Sequence, residues 1–193
     1  MVIVTFNTIK REGLMMELEY IRDYAMYVAI FGFFSFVWFG WAQENPRKKW
    51  RKYIGIATGI AFVVCLFGVY LSIKSWGAPT TLSEQDTFTQ YLVVFYAELL
   101  VGAIGAFLLL RMKKQDYIAP WISFVVGTHF FWLVDVFKDS SLYVLAVVMI
   151  VIAIISPWLS KKCGVANSAI TGISAGTILF CFALVGLFRY ISS

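Results

Sequence analysis

The sequence predicts an all-α membrane protein: six transmembrane helices arranged as three hairpins, with both termini outside. Three observations carry this expectation. The 193 residues are 61% hydrophobic and only 14% charged, where a soluble domain carries about 25% charged residues. Six apolar stretches are long enough to cross a hydrocarbon core about 30 Å thick at about 1.5 Å per residue. Basic residues concentrate in alternate loops.

The spans are expected at residues 22–43, 53–74, 87–110, 117–137, 140–160 and 165–189, one transmembrane domain over 1–193. The runs 24–42, 53–73, 140–160 and 163–188 carry no charge, 87–110 carries Glu98, and 117–137 carries His129 and Asp135. Helices follow because lipid cannot satisfy open backbone groups. A barrel would alternate in polarity, and these runs do not. Ahead of the first span, "VIVTF" is too short for the apolar region of a signal peptide. "LMMELEYIRDY" reads as the start of an interfacial helix running into span one, with Met15 or Met16 as alternative starts. The longest connection, "KSWGAPTTLSEQDTFTQ", is polar. In it Ser83 and Asp86 resemble a helix N-cap with an acid at the third position, so span three is expected to begin near Gln85.

Arg47, Lys48, Lys49, Arg51 and Lys52 follow span one; Arg111, Lys113 and Lys114 follow span three; Lys161 and Lys162 follow span five. The other side carries Lys10, Arg11, Arg22, Lys74, Lys138 and Arg189, spread thinly. The positive-inside rule therefore puts the three basic loops in the cytoplasm of a cell membrane, both termini outside, where the loops can also touch anionic lipid. No basic soluble domain remains to bind nucleic acid, despite the net charge of +5. Cys65, Cys163 and Cys181 have no CxxC spacing, so neither a disulfide framework nor a metal site follows. One histidine excludes bis-histidine haem within the chain, and no nucleotide-binding motif is present. No metal or cofactor is expected.

Spans two and six both open on a GxxxG, Gly55/Gly59 and Gly172/Gly176, in "GIATGIAFVVCLFG" and "GISAGTILFCFALVG". Small residues four apart let helix backbones approach closely in lipid. The likeness fits a vestige of duplication or the general abundance of glycine in membrane helices. No sequence match supports an inverted repeat of transporter type. The aromatics of "FGFFSFVWFGW", with Trp50, Trp76, Trp121 and Trp158, read first as interfacial belts and second as ligand contacts.

Glu98 falls near the middle of its span, where a charge costs at least about 2.5–3.5 kcal/mol. Such a carboxyl is protonated, paired or turned to a wet cavity. Its stripe carries Tyr91, Gly102 and Gly105, and the glycines imply a close helix neighbour. Glu98 is thirteen residues before Arg111, and His129 is twelve after Tyr117. The two depths therefore agree within roughly one helical turn, and Glu98 and His129 are expected to meet in the bundle interior. Trp132 shares the His129 face. Asp135 lies about 120° around the helix and reads either as an interfacial acid paired with Lys138 or as part of the cavity lining. The plain alternative is a polar clamp between helices, but such hydrogen bonds add only about 0.6 kcal/mol on average. Function is the better default for an intramembrane acid.

"GISAG" at 172–176 matches G-x-S-x-G, but a nucleophile elbow needs a strand–turn–helix and this is a membrane span. Rhomboid-type enzymes also hold Ser and His within six spans. Here the order of Ser174 and His129 is reversed and the upstream histidine motif is missing, which leaves a membrane hydrolase a remote alternative.

"GTHFFWLVDVF" followed by "SLYVLAVVMIVIAIIS" resembles a G-x-H-F pattern of small, uncharacterised bacterial multi-span membrane proteins, over residues 117–156. The resemblance implies a bacterial plasma-membrane protein and assigns no catalytic residue. The leading expectation is a membrane protein that binds or passes a small molecule or ion at Glu98 and His129, with Tyr91, Trp132 and Asp135 around them. The runner-up is a non-catalytic subunit that assembles, with itself or another protein, through the glycine faces of spans two and six. Expected partners are the bilayer and a small-molecule or lipid ligand.

Overall fold

The computed structural model describes residues 21–193. The expectations placed on the segment before Ile21, including the alternative starts, lie outside the described residues. Within them are six long helices and no strand: α1 Ile21–Trp41, α2 Lys48–Lys74, α3 Gln85–Arg111, α4 Ile118–Phe137, α5 Ser141–Cys163 and α6 Asn167–Ser192. Each is long and apolar enough to cross a membrane, as in a multi-pass membrane protein.

Local chemistry sets several of the helix ends. Gly164 closes α5 in the left-handed region (φ 65°), the usual place for glycine. Its N–H and that of Val165 return to the carbonyls of Lys161 and Ser160. Lys138 ends α4 in the same region without glycine's freedom. Asp139 then accepts from the Ser141 N–H (2.9 Å) and ties down the start of α5. Helix α3 begins at Gln85, but Glu84 holds the cap position. Ser83 is not the cap, because its hydroxyl turns back to donate to the Thr80 carbonyl (2.8 Å).

The loops around 42–47 and 164–166 meet at one end: the Ala166 N–H donates to the Asn45 carbonyl, and the Arg47 guanidinium to the Cys163 carbonyl at 2.9 Å. Gln115 and Asp116 face the same cavity there as Glu44 and Asn167. The three basic loops are therefore neighbours, at what we call the basic end. At the opposite end Ser75 meets Tyr190 (3.0 Å).

Helix α6 is the centre of the bundle, packed on α1, α5 and α4 and touching α2; α1 also packs on α2, α4 packs on α5, and α3 leans on α4 at the edge. Small residues make these contacts, as expected where helices gain nothing by avoiding lipid. On the α1–α2 face an added Cβ at Gly68 would meet the Ala29 and Val28 backbone, and one at Gly32 the Cys65 backbone. On the α1–α6 face Gly172 lies against the Trp38 carbonyl and Ala42, Gly176 lies against Phe39, and Ser35 donates to the Gly176 carbonyl (2.8 Å). Gly127 holds α4 on α5, where Ser123 donates to the Met149 carbonyl (3.0 Å).

The expected packing role of Gly55 and Gly59 needs correction. Both are exposed, and an added Cβ at Gly59 meets nothing within 4 Å. The buried stripe of α2 is Ile54, Ala61, Cys65, Gly68 and Leu71. Gly55 is one residue, about 100°, off that stripe and Gly59 lies nearly opposite it. The two GxxxG pairs are thus used differently: Gly172/Gly176 packs inside the bundle and Gly55/Gly59 faces out.

Candidate functional site

Helix α3 is fastened to the bundle by a narrow contact. Gly102 is its one buried residue. The Gly105 Cα faces the Trp121 indole so closely that any Cβ would overlap it, and Trp121 Nε1 donates to the Gly102 carbonyl (3.3 Å). Both glycines face α4. Seated this way, the next turn of α3 brings Glu98 toward His129.

His129 Nδ1 lies 3.5 Å from Glu98 Oε2. The side chains are 14% and 19% exposed, so each is largely withdrawn but not sealed. Nδ1 makes no hydrogen bond of good geometry, although it is buried. The imidazole ring rests on Phe130, 4.3 Å between ring centres. This leaves a carboxyl and an imidazole side by side, able to share, take up or pass a proton, since each can serve as donor or acceptor according to its protonation.

The pair stands in a thin wall between two cavities. One, of about 110 Å³, lies inside the bundle among Tyr27, Phe31, Trp38, Tyr91, Phe130 and Leu179. The other, of about 390 Å³, is an outward groove between α3 and α4 beside Val94, Trp121, Phe124, Thr128 and Trp132. Glu98 and His129 line both.

The remaining sequence candidates divide. Tyr91 lines the inner cavity and stacks on Phe95, 6.2 Å between ring centres. Trp132 borders only the outer groove and is 57% exposed. Asp135 lines neither; it is exposed, and among the described residues it makes no ion pair with Lys138. The carboxylate that is paired there is Asp139, 2.6 Å from the Arg189 guanidinium on α6. Ser174 lies in neither cavity with His129. Among the described residues no three His, Cys, Asp or Glu side chains gather as a metal site.

Sequence reading missed a second polar cluster. Asp23 on α1 is buried and accepts from the Thr81 N–H (3.0 Å), the Thr81 hydroxyl (2.8 Å) and the Thr80 hydroxyl. It straps the loop between α2 and α3 onto the bundle end opposite the basic loops. Arg22 adds to the strap, donating to the Trp76 carbonyl (3.1 Å) and lying over its ring. The one signal in the sequence was an acid in the first turn of a span, beside a loop rich in threonine.

No protein-family model, curated protein or solved structure matches this chain. The functional reading therefore rests on the geometry of the site.

Proposed function

We propose that this chain is an integral membrane protein that binds a small molecule or ion at the Glu98–His129 pair and passes it across the bilayer, with Glu98 as the proton relay. One observation supports this above others: two ionisable side chains, set mid-helix and facing each other, line cavities on both sides of the α3–α4 contact. Intramembrane acids mark transport pathways and proton relays more often than they mark clamps. The same reading places the helices as three hairpins in a cell membrane with the gathered basic loops in the cytoplasm. Glu98→Gln in proteoliposomes tests it by solid-supported membrane electrophysiology. Concentration jumps across a panel of protons, small cations, amino acids, sugars and neutral amphiphiles should include one that gives currents in the native protein that vanish in the variant. Equal currents in both would overturn the reading.

A second reading is favoured by one feature. Gly55 and Gly59 are exposed on α2 with open space above Gly59, which leaves a helix-docking stripe unused inside the chain. A subunit role, with α2 against another helix, fits that stripe.

A further inference from the structure

The inner cavity is walled by apolar side chains, among them Met26, Ile30 and Phe31 from α1 and Phe130 from α4. Toward the end opposite the basic loops, the rings of Tyr27 and Tyr91 both meet Phe137 edge-on, at 5.6 and 6.2 Å. Toward the basic end, Trp38 stacks on Trp41 at 5.4 Å. Sideways the wall is incomplete. Helices α1 and α3 are not packed on each other, and Phe34 and Phe95, which line the cavity from these two helices, are 44% and 37% exposed. All of these residues lie within the apolar lengths of their helices, so the gap opens toward hydrocarbon rather than water.

An occupant that arrives through such a gap must already be dissolved in the bilayer. Its polar group must reach mid-span, where a charged head is heavily penalised and an uncharged one is penalised far less. The groups awaiting it are a carboxyl and an imidazole 3.5 Å apart, and a hydroxyl, both donor and acceptor, complements both. The volume of about 110 Å³ is below the roughly 150 Å³ of a cavity that admits benzene. It therefore holds a head and a few carbons, and the rest of a longer chain must lie in the gap between α1 and α3.

We propose that the Glu98–His129 site takes a neutral, membrane-dissolved amphiphile of the long-chain alcohol class, which enters sideways between α1 and α3 and sets its hydroxyl against the carboxyl and the imidazole. This rests on the reading of the pair as a ligand site and names the ligand class. Phospholipids are excluded as occupants by the charge of their headgroups.

The test uses the full chain in lipid nanodiscs and a diazirine-bearing dodecanol as photoprobe. Labelling should map to peptides holding Ile30 and Phe95. Dodecanol should compete at concentrations about tenfold below those of dodecane, the size of effect that one or two hydrogen bonds supply. The Glu98→Leu/His129→Leu double variant should lose that preference, and Ile30→Trp, which fills the gap, should lose the labelling. The comparison of dodecanol with dodecane uses the native protein, so it decides even where a variant fails to fold. Equal competition by dodecane, equal competition by dodecyltrimethylammonium, or labelling spread over the outer face of α2 would overturn the proposal. If it fails while currents still vanish in Glu98→Gln, the pair serves a water-borne solute and only the amphiphile is lost. If neither experiment depends on Glu98, the pair is not a ligand site at all.

Discussion

His129 Nδ1 stands 3.5 Å from Glu98 Oε2 across the contact of α3 with α4, where Gly102 is the one buried residue of α3. A clamp and a working site make opposite demands on this contact. A mid-span acid costs about 2.5–3.5 kcal/mol to insert, whereas a polar contact between membrane helices returns about 0.6 and at most about 1.7 kcal/mol. Glu98→Leu is therefore expected to raise stability, by about 1–2 kcal/mol, while removing the activity. Reversible unfolding in mixed micelles reads the first and proteoliposome currents the second. A loss of stability would make the pair a clamp. A double-mutant cycle with His129→Leu isolates their coupling.

Two glycines on α2, nine residues apart, should answer oppositely to the same change. An added Cβ at Gly68 lies 2.6 Å from the Ala29 Cα and the Val28 carbonyl carbon. Backbone atoms cannot step aside as a flexible side chain can, so Gly68→Ala should cost about 1–3 kcal/mol. An added Cβ at Gly59 meets nothing, and Gly59→Ala should fall within about 0.5 kcal/mol of the native protein. Thermal melts in detergent decide both. Gly59→Leu adds a check on the subunit reading: a shift in oligomeric state by light scattering supports it, and an unchanged state removes its footing.

This contrast shows where sequence reading ends. Hydropathy is a property of each helix alone, so six spans are visible without knowing any neighbour. The depth match between Glu98 and His129 is visible too, because a short connection fixes the relative rise of α3 and α4. Helix rotation is different. In lipid both faces of a helix are apolar, so polarity does not say which one is buried. Gly55/Gly59 and Gly68 look alike as small residues, and only the stripe Ala61, Cys65, Gly68, Leu71 lies on α1. The acids fail for a related reason. The sequence offers Asp135 either Lys138, three residues away, or a place in the cavity lining, while the ion pair at that end joins Asp139 and Arg189, fifty residues apart. Asp23 reaches Thr80 and Thr81 over a similar gap.

The Asp23 strap should be local in its effect. Asp23→Ala leaves the Thr81 N–H and hydroxyl and the Thr80 hydroxyl without the acceptor they now share. Buried groups stranded in this way cost about 1–3 kcal/mol. Most of that cost should fall on the loop between α2 and α3, whose other fastenings include Arg22 to Trp76 and Ser75 to Tyr190. Hydrogen exchange in residues 75–84 should rise well above native rates, with exchange in α5 unchanged. Uniform acceleration across all helices would mean that Asp23 supports the whole bundle rather than the strap.

The gathered basic loops give the last test, which concerns orientation. Their contacts place Arg47, Cys163 and Asn45 together at one end, and Ser75 and Tyr190 at the other. The asymmetry of Lys and Arg sets which end faces the cytoplasm. A cysteine-free variant carrying Lys113→Cys, at an exposed site beside the basic loops, should resist a membrane-impermeant maleimide in intact cells and react after lysis. The same background carrying Ser193→Cys, exposed on the last residue of the chain, should react in intact cells. The reverse pattern would invert the topology. Labelling of both positions in intact cells would contradict the three crossings, α4, α5 and α6, that lie between them.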